Sequence, residues 1–210
     1  MGLRVLLVAS GEPAEPGTLR EAAAAAGYVV AVNGGFRQAQ EAGLRVDLLL
    51  GDLDSLGGVP IPKGVRVLAF PSHKDATDLE LALDHVSALR PDVVEIFGGL
   101  GGRLDHLLAN LAIAEKYPFT LVFRGQGVDL HAVSQELDLE GAKVGDTVSL
   151  IPLSDVVEGV RTQGLEYPLR GEALFRASSR GVSNRVTSLP AGVSLEKGKL
   201  LVVHIPSEGG

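Results

Sequence analysis

Short apolar runs alternate with helix-like segments along the first 125 residues of the chain. The runs are nearly continuous in apolar side chains, which is typical of strands covered on both faces. They lie at residues 4–8, 28–32, 47–50, 65–70, 93–97 and 119–124, and four helices are predicted between them at 18–26, 36–42, 78–89 and 104–116. This alternation predicts an α/β fold with an N-terminal, mostly parallel open sheet flanked by helices.

Two of these helices carry clear local signals. Thr77 and Glu80 bracket a capping box at the start of the helix at 78–89. The helix at 104–116 places five apolar side chains on one stripe, as an amphipathic helix does: Leu104, Leu107, Leu108, Leu111 and Ala112.

The pattern changes after Gly127. Five short β-rich runs follow, separated by turns that contain glycine or proline, and no good helix lies between them. These runs are at 129–133, 147–151, 156–161, 185–188 and 200–204. An all-β sandwich or barrel is therefore predicted for the C-terminal part. The domain boundary is placed between residues 1–126 and 127–210.

Composition and charge narrow the class of protein. The chain has 210 residues and no cysteine, and its 19 basic against 26 acidic residues give a net charge of −7. These values exclude a disulfide framework or thiolate metal site and disfavour nonspecific binding to nucleic acid or anionic membranes. No segment resembles a signal peptide or a membrane span, so a cytoplasmic protein is expected. With one methionine and three asparagines, the composition resembles that of thermophile proteins.

Four predicted strands run directly into polar or glycine-rich loops. These loops are the segments 33–35, 51–55, 72–78 and 98–106. Because ligands bind at the carboxyl ends of strands in open parallel sheets, we expect the four loops to form one site.

Acidic residues in these loops are candidate metal ligands. Asp52 and Asp54 lie two residues apart, so both can point to one side of an extended segment. Together with Asp78 or Asp75 they offer the hard oxygen ligands that Mg²⁺ prefers when it bridges substrate phosphates. An isolated Asp-x-Asp more often ends a strand and caps a turn. The other polar loops at the same edge favour the metal site here.

The glycine-rich loop at 98–103 is a candidate phosphate site. It opens a helix, so its backbone amides and the helix dipole could receive an anion. It has neither the Walker nor the dinucleotide-binding spacing, and such glycines often serve only a tight turn. Arg103 and Lys74 carry charges suited to phosphate, although a residue of either kind, taken alone, is more often a surface charge than a ligand.

An ordered set of motifs resembles the thiamine pyrophosphokinase family. The motifs are VNGGF, GDLDS, KDATDLELAL, GGLGGRLDHLLANL, SLIPLS, GVRTQGLEYPL and GVSN, and they run from about residue 31 to 184. The resemblance implies an α/β catalytic domain that binds ATP and magnesium, followed by a β-sandwich that binds thiamine. It also implies transfer of a pyrophosphoryl group from ATP to the thiamine hydroxyl with release of AMP. Members of the family are homodimers with sites between subunits.

The resemblance assigns expected roles to individual positions. Catalytic roles are implied for Asp52, Asp54, Lys74, Asp75, Asp78, Arg103 and Asp105, of which Asp52, Asp54 and Asp78 would hold Mg²⁺. Contacts to the nucleotide or thiamine are implied for Asn33, Gly34, Gly35, Ser55, Thr77, Gly101, Gly102, Asn110, Tyr167, Ser183 and Asn184.

Two departures from the family pattern leave alternatives open. Many relatives have Asp-Gly-Gly where this chain has Asn33-Gly34-Gly35, and animal relatives have a tryptophan where this chain has Tyr167. A tyrosine can still stack on a pyrimidine ring or face a thiazolium cation. The alternatives are a pyrophosphokinase for another alcohol, such as a hydroxymethylpterin, and a non-catalytic sensor of nucleotide or thiamine.

Overall fold

The chain divides into two compact units. A computed structural model describes residues 2–52, 58–71 and 73–207. The first unit comprises Met1–Ile113 and Val122–Gln126, and the second comprises Ala114–Leu121 and Gly127–Gly210. The separate roles expected for residues 1–126 and 127–210 stay a prediction.

The first unit contains a parallel sheet with a reversal in strand order. Its strands are β1 (Arg4–Val8), β2 (Tyr28–Val32), β3 (Leu48–Gly51), β4 (Arg66–Ala69), β5 (Val93–Phe97) and β6 (Thr120–Gly125). Their spatial order is β6-β5-β1-β2-β3-β4, and the pairings from β5 through β4 are parallel. From β1 the chain proceeds outwards to β4 and then returns to the other side of β1 with β5. In sheets of this kind a crevice opens at the carboxyl ends of the two strands where the order reverses.

Helices cover this sheet and close its core. They are α1 (Pro16–Ala25), α2 (Gly35–Glu41), α3 (Asp78–Ser87) and α4 (Leu104–Ile113). A short 3₁₀ turn at Ala114–Lys116 follows α4 in the chain and belongs to the second unit. The side chains of Leu6, Leu19 and Phe36 are nearly inaccessible to solvent in one of the core clusters. Gly35 allows α2 to approach β1, because a Cβ at this position would lie 2.0 Å from the Val8 carbonyl oxygen.

The apolar stripe of α4 is not buried within the chain. Leu104 is 68% exposed and Leu108 is 59% exposed, and the buried residue of this helix is the polar Asn110. The stripe predicted the helix correctly, but it does not pack into the core of its own chain. Among the described helices, none has the length and apolarity needed to cross a membrane.

The second unit is built from antiparallel strands in two layers. The strands are β7 (Val128–Val133), β8 (Glu136–Asp138), β9 (Thr147–Pro152), β10 (Val156–Gln163), β11 (Arg170–Phe175), β12 (Asn184–Arg185), β13 (Gly192–Ser194) and β14 (Leu200–Ile205). One layer has the order β12-β9-β14-β7 and the other has the order β11-β10-β13-β8. Side chains of both layers, including Val148, Val160 and Val202, share one buried cluster. This arrangement is a β-sandwich.

The predicted fold class, an open α/β sheet followed by an all-β sandwich, is confirmed. The differences lie in individual strands of the second unit. β8, β11 and β13 were not predicted, since they are short or mostly polar, and the run predicted at 185–188 is reduced to Asn184–Arg185. In the first unit, β4 lies at the sheet edge and is largely exposed rather than covered on both faces.

Lys199 is a buried charge in the second unit, with only 3% of the residue exposed. Its Nζ donates hydrogen bonds to the carbonyl oxygens of Tyr117, at 2.7 Å, and Phe119, at 2.8 Å. Burial lowers the pKa of Lys199 to about 8. The amine therefore ties β14 to the segment that precedes β6.

Asp146 forms the second buried polar anchor of this unit. Its Oδ2 accepts from the Lys143 amide and contacts His204 Nε2 at 2.8 Å, while Oδ1 accepts from the amide and hydroxyl of Ser207. Burial acts to raise the pKa of Asp146, but the hydrogen bonds from Ser207, Lys143 and His204 outweigh it and hold the pKa well below its usual range. This carboxylate fixes the last described residues of the chain.

Candidate active site

A cavity of about 400 Å³ lies at the point where the strand order reverses. Its walls come from the loops that follow β1, β2 and β5 and from the first turn of α3. The loops predicted to lie at one edge of the sheet therefore do lie together, as far as the structure describes them. Three of the four loops singled out in the sequence contribute to one cavity, and most of the 51–55 loop lies outside the described residues.

Asp78 is the acidic centre of this cavity. Asn33 Nδ2 donates a 2.6 Å hydrogen bond to Asp78 Oδ2, and Lys74 Nζ lies 2.8 Å from Asp78 Oδ1. Lys74 also donates to the Pro71 carbonyl at 3.1 Å. Residues from the loop after β2 and from the loop before α3 are thus joined through one carboxylate.

The start of α3 fixes the direction of Asp78. Thr77 occupies the N-cap, and its hydroxyl accepts a 3.2 Å hydrogen bond from the Glu80 amide, as the capping motif predicts. Asp78 is the first residue of the helix, where the positive end of the helix dipole stabilises a carboxylate. Thr77 lines the cavity, but its side-chain oxygen is engaged by the cap.

The glycine-rich loop is held in shape by the loop after β1. The amides of Gly11 and Glu12 donate to the carbonyl oxygens of Gly98 and Leu100 at 3.0 and 3.3 Å. A Cβ on Gly98 would lie 2.4 Å from the Ala9 carbonyl oxygen, so the two loops can approach only if this residue is glycine. Gly101 and Gly102 both have positive φ and line the cavity. The loop backbone is therefore preorganised.

Arg103 lies at the cavity rim and pairs with Asp105. Its Nε and Nη2 donate to the two carboxylate oxygens of Asp105 at 3.1 and 2.5 Å, and both side chains are well exposed. Hydrogen bonding by Arg103 lowers the pKa of Asp105 and raises that of the guanidinium. Arg103 lines the cavity, whereas Asp105 is placed beside it by this fork.

Asn110 and His106 reach the cavity from α4. Asn110 is buried, and its Nδ2 donates a 2.9 Å hydrogen bond to the Gly99 carbonyl oxygen. His106 lines the cavity one turn before Asn110.

The remaining acidic candidates are only partly described. Asp52 follows β3 and is half-buried, Asp75 is exposed, and Asp54 and Ser55 lie outside the described residues. Among residues 2–52, 58–71 and 73–207, no three acidic or histidine side chains form a metal-binding group. Asp78 Oδ1 is nevertheless buried, and none of these described residues donates a hydrogen bond to it in suitable geometry, although the Lys74 ammonium is close. A buried carboxylate oxygen of this kind fits a cation.

Three candidate residues belong to the second unit. Asn184 is buried, and its side-chain amide accepts from the Tyr167 backbone N–H at 3.0 Å and donates to the Tyr167 carbonyl at 2.8 Å. Tyr167 is 64% exposed, so core packing does not account for its ring. Ser183 has φ of +60°, and its amide donates to the Ser149 hydroxyl. Asn184 thus holds Tyr167 through its backbone.

The loop after β1 was missed in the sequence. Ser10 and Gly11 line the cavity, and Gln38 of α2 holds this loop by donating to the Ala9 carbonyl and accepting from the Ala14 amide, each at 3.3 Å. The apolar run at 4–8 is followed directly by Ser10-Gly11, so the rule applied to the other strands could have found it.

Comparisons with known proteins give the family. Residues 19–121 match the model "Thiamin pyrophosphokinase, catalytic domain", and residues 131–200 match "Thiamin pyrophosphokinase, vitamin B1 binding domain". The chain is 30% identical over 163 residues to thiamine pyrophosphokinase of Bacillus subtilis (strain 168), covering 73% of this chain and 76% of that protein. The crystal structure of thiamin pyrophosphokinase from Geobacillus thermodenitrificans is 26% identical with a TM-score of 0.79 and covers 99% of both chains. The crystal structure of the Bacillus subtilis enzyme gives a TM-score of 0.78 over 98% of this chain and 100% of that one, at 24% identity. The resemblance read from the motifs is confirmed, and the chain belongs to the thiamin pyrophosphokinase family.

Proposed function

We propose that this protein transfers a pyrophosphoryl group from ATP to the hydroxyl of thiamine, producing thiamine diphosphate and AMP. The observation that carries the proposal is the joining of Asn33, Lys74 and Asp78 beside a glycine-rich loop in a family member. In the reaction the thiamine hydroxyl gives up its proton to the surrounding water, and its oxygen forms a bond to the β-phosphorus. The bond between the β-phosphorus and its bridging oxygen to the α-phosphate breaks, and AMP leaves with that electron pair.

Phosphate binding is assigned to the glycine-rich loop, Arg103 and Lys74. The loop backbone is preorganised by its hydrogen bonds to Gly11 and Glu12, so few of its groups would need to reorder around an anion. Arg103 offers a planar fork suited to phosphate, and it would exchange its exposed bonds to Asp105 for a ligand at low cost.

Mg²⁺ is the cation proposed for Asp52, Asp54 and Asp78. The support comes from Asp78 Oδ1, a buried carboxylate oxygen that lies 2.8 Å from the Lys74 ammonium and receives no hydrogen bond of suitable geometry from the described residues. When bound, Mg²⁺ would offset the charge of the triphosphate and of the leaving group. Asp78 would hold it, and Lys74 would limit the net negative charge of the pocket.

Thiamine recognition is assigned to the second unit. The Tyr167 ring is exposed while its backbone is fixed by Asn184, so the ring is available to stack on a pyrimidine or to face a thiazolium cation. The match of residues 131–200 to the vitamin B1 binding domain supports this assignment.

A homodimer with sites between subunits belongs to the same proposal. The exposed apolar stripe of α4, centred on Leu104 and Leu108, is a surface that a second copy of the chain would cover. A cytoplasmic location, where ATP is available, was expected from the sequence and is part of the proposal.

The test is AMP release. Purified protein is incubated with ATP and Mg²⁺ together with thiamine, with a hydroxymethylpterin, or with no acceptor. AMP release with thiamine, and not in the other two incubations, supports the proposal. AMP release with the pterin but not with thiamine would show that the acceptor is another alcohol. Tight ATP binding without AMP under any condition would identify a sensor.

A matched pair of variants tests the metal site. Asp78→Ala and Asp54→Ala should each abolish AMP release while the melting temperature stays close to that of the wild type. Asp84→Ala removes an exposed carboxylate from the same helix as Asp78 and serves as the control. Near-normal activity in both site variants would contradict the metal assignment.

A further inference from the structure

We propose that Asn33 is a positioning residue: its amide holds one oxygen of Asp78 and leaves the other for the cation. This inference rests on the proposed function, because it assigns Asn33 a task within that site. A hydrogen bond of 2.6 Å joins Asn33 Nδ2 to Asp78 Oδ2 across 45 positions of sequence. Since an ionised carboxylate only accepts hydrogen bonds, the amide nitrogen is the end that must face it.

The backbone of Asn33 is fixed on both sides. Its amide donates to the Leu50 carbonyl at 2.9 Å, and its carbonyl accepts from the Phe36 amide at 3.0 Å. Its φ of +47° is left-handed, a conformation that asparagine tolerates better than most residues. The corner between β2 and α2 therefore presents this side chain in one direction.

Gly51 supplies the space that the amide needs. A Cβ on Gly51 would lie 1.7 Å from Asn33 Oδ1, and Gly51 has φ of +145°. The end of β3 is thus shaped around the oxygen of the amide while its nitrogen faces α3. A side chain with a fixed backbone and little room around its amide oxygen can orient the carboxylate that its nitrogen contacts.

The two oxygens of Asp78 consequently differ. Oδ2 accepts a hydrogen bond from a neutral amide, whereas Oδ1 is buried and lies near the Lys74 ammonium. Within the described part of the chain, no donor reaches Oδ1 in suitable hydrogen-bond geometry. An asparagine adds no charge at this point, so the carboxylate keeps its full charge for Lys74 and for a cation. A carboxylate in place of the amide would add a negative charge 2.6 Å from Asp78 and would donate nothing.

Asn33→Gly separates this role from a structural one. Glycine adopts positive φ freely, so the variant removes the amide and keeps the corner. Arg90→Gly is the matched control, because Arg90 also has positive φ, at +51°, and lies outside the site. A hydrogen bond to a charged group corresponds to about 10- to 100-fold in an equilibrium constant, and we expect kcat of Asn33→Gly to fall by that amount. The KM for thiamine and the melting temperature should stay close to those of the wild type.

Asn33→Asp is the complementary variant. It keeps the size of the side chain and tolerates the same φ, but it cannot donate. Many relatives have Asp-Gly-Gly at this place, but in this chain the partner of Asp78 is a neutral amide. In this site we therefore expect the kcat of Asn33→Asp to fall at least as far as that of Asn33→Gly. Magnesium affinity, measured by calorimetric titration of each protein with α,β-methylene-ATP present, should weaken about tenfold or more in both variants. This readout does not depend on turnover.

The outcomes separate the two proposals. A wild-type protein that releases no AMP with thiamine contradicts the proposed function. An active wild type whose Asn33→Gly and Asn33→Asp variants keep kcat and magnesium affinity within twofold overturns the role of Asn33 and leaves the function standing. A fall in both quantities, with Arg90→Gly unchanged, supports it.

Discussion

Replacing Lys199 by methionine should destabilise the protein far more at pH 10 than at pH 7. The side chain is almost fully buried, and its Nζ is the donor to two backbone carbonyl oxygens. Methionine is of similar length and keeps the packing, but it leaves both carbonyls without this donor, at a cost of about 1–3 kcal/mol each. That loss applies at every pH.

The pH dependence comes from the buried charge. Burial lowers the pKa of Lys199 to about 8 in the folded chain, against an ordinary value of 10.5. Between these two values the unfolded chain binds more protons than the folded one, so the stability contributed by Lys199 rises as the pH rises. From pH 7 to pH 10 this gain is about 2–3 kcal/mol for the wild type and is absent in the variant.

The measurement is urea-induced unfolding of wild type and Lys199→Met at pH 7 and at pH 10. Other titrating groups change both proteins alike, so they cancel in the difference between the two free energies of unfolding. The difference should be about 2–3 kcal/mol larger at pH 10. A difference that is equal at both pH values, or smaller at pH 10, would refute the reasoning from burial.

Four further substitutions test other contacts. Arg103→Lys should raise the KM for Mg·ATP about tenfold, since the planar fork is lost, without changing the urea midpoint; an unchanged KM would contradict phosphate binding. Asp146→Asn should lower the free energy of unfolding, measured in urea at pH 7, by about 2–4 kcal/mol. Because the pKa of Asp146 is depressed in the folded chain, this difference should shrink as the pH falls below about 4. A difference that does not depend on pH would rule out an ionised carboxylate as the acceptor. Asn110→Ala should lower the free energy of unfolding by about 1–3 kcal/mol and raise the KM for ATP; the stability loss alone would make it a purely structural residue. Leu108→Asp should convert the proposed dimer to a monomer in sedimentation; an unchanged dimer would place its interface elsewhere.

Much of the first unit could be predicted from the sequence because burial on both faces leaves a simple signal. The apolar runs at 4–8 and 28–32 coincide with β1 and β2. The second unit was harder, since β11 reads Arg-Gly-Glu-Ala-Leu-Phe and carries polar residues on its exposed positions. In a strand with one solvated face and a bulged partner, apolar and polar residues alternate only weakly along the sequence.

The site could be located from the sequence but not resolved into contacts. Parallel-strand topology brings the loops after β2 and before α3 to one edge, yet no pattern indicates that Asn33 bonds Asp78. The stripe of α4 predicts a helix equally well whether its face packs inside the chain or outside it. The side chains of Leu104 and Leu108 face outwards and are exposed on the surface of the chain. Asn184 is expected near a ligand, which stays a prediction, and no pattern in the sequence indicates that its side-chain amide bonds the backbone of Tyr167.

The corner at Asn33 has a consequence for how the protein ages. Asn33 is followed by Gly34, a pair of residues in which asparagine readily loses ammonia on prolonged heating. That loss proceeds through a succinimide, which opens to aspartate or isoaspartate, so the donor that faces Asp78 would become a second carboxylate in a chain already made. With the role proposed for Asn33, the heated protein would gain negative charge and lose activity while remaining folded.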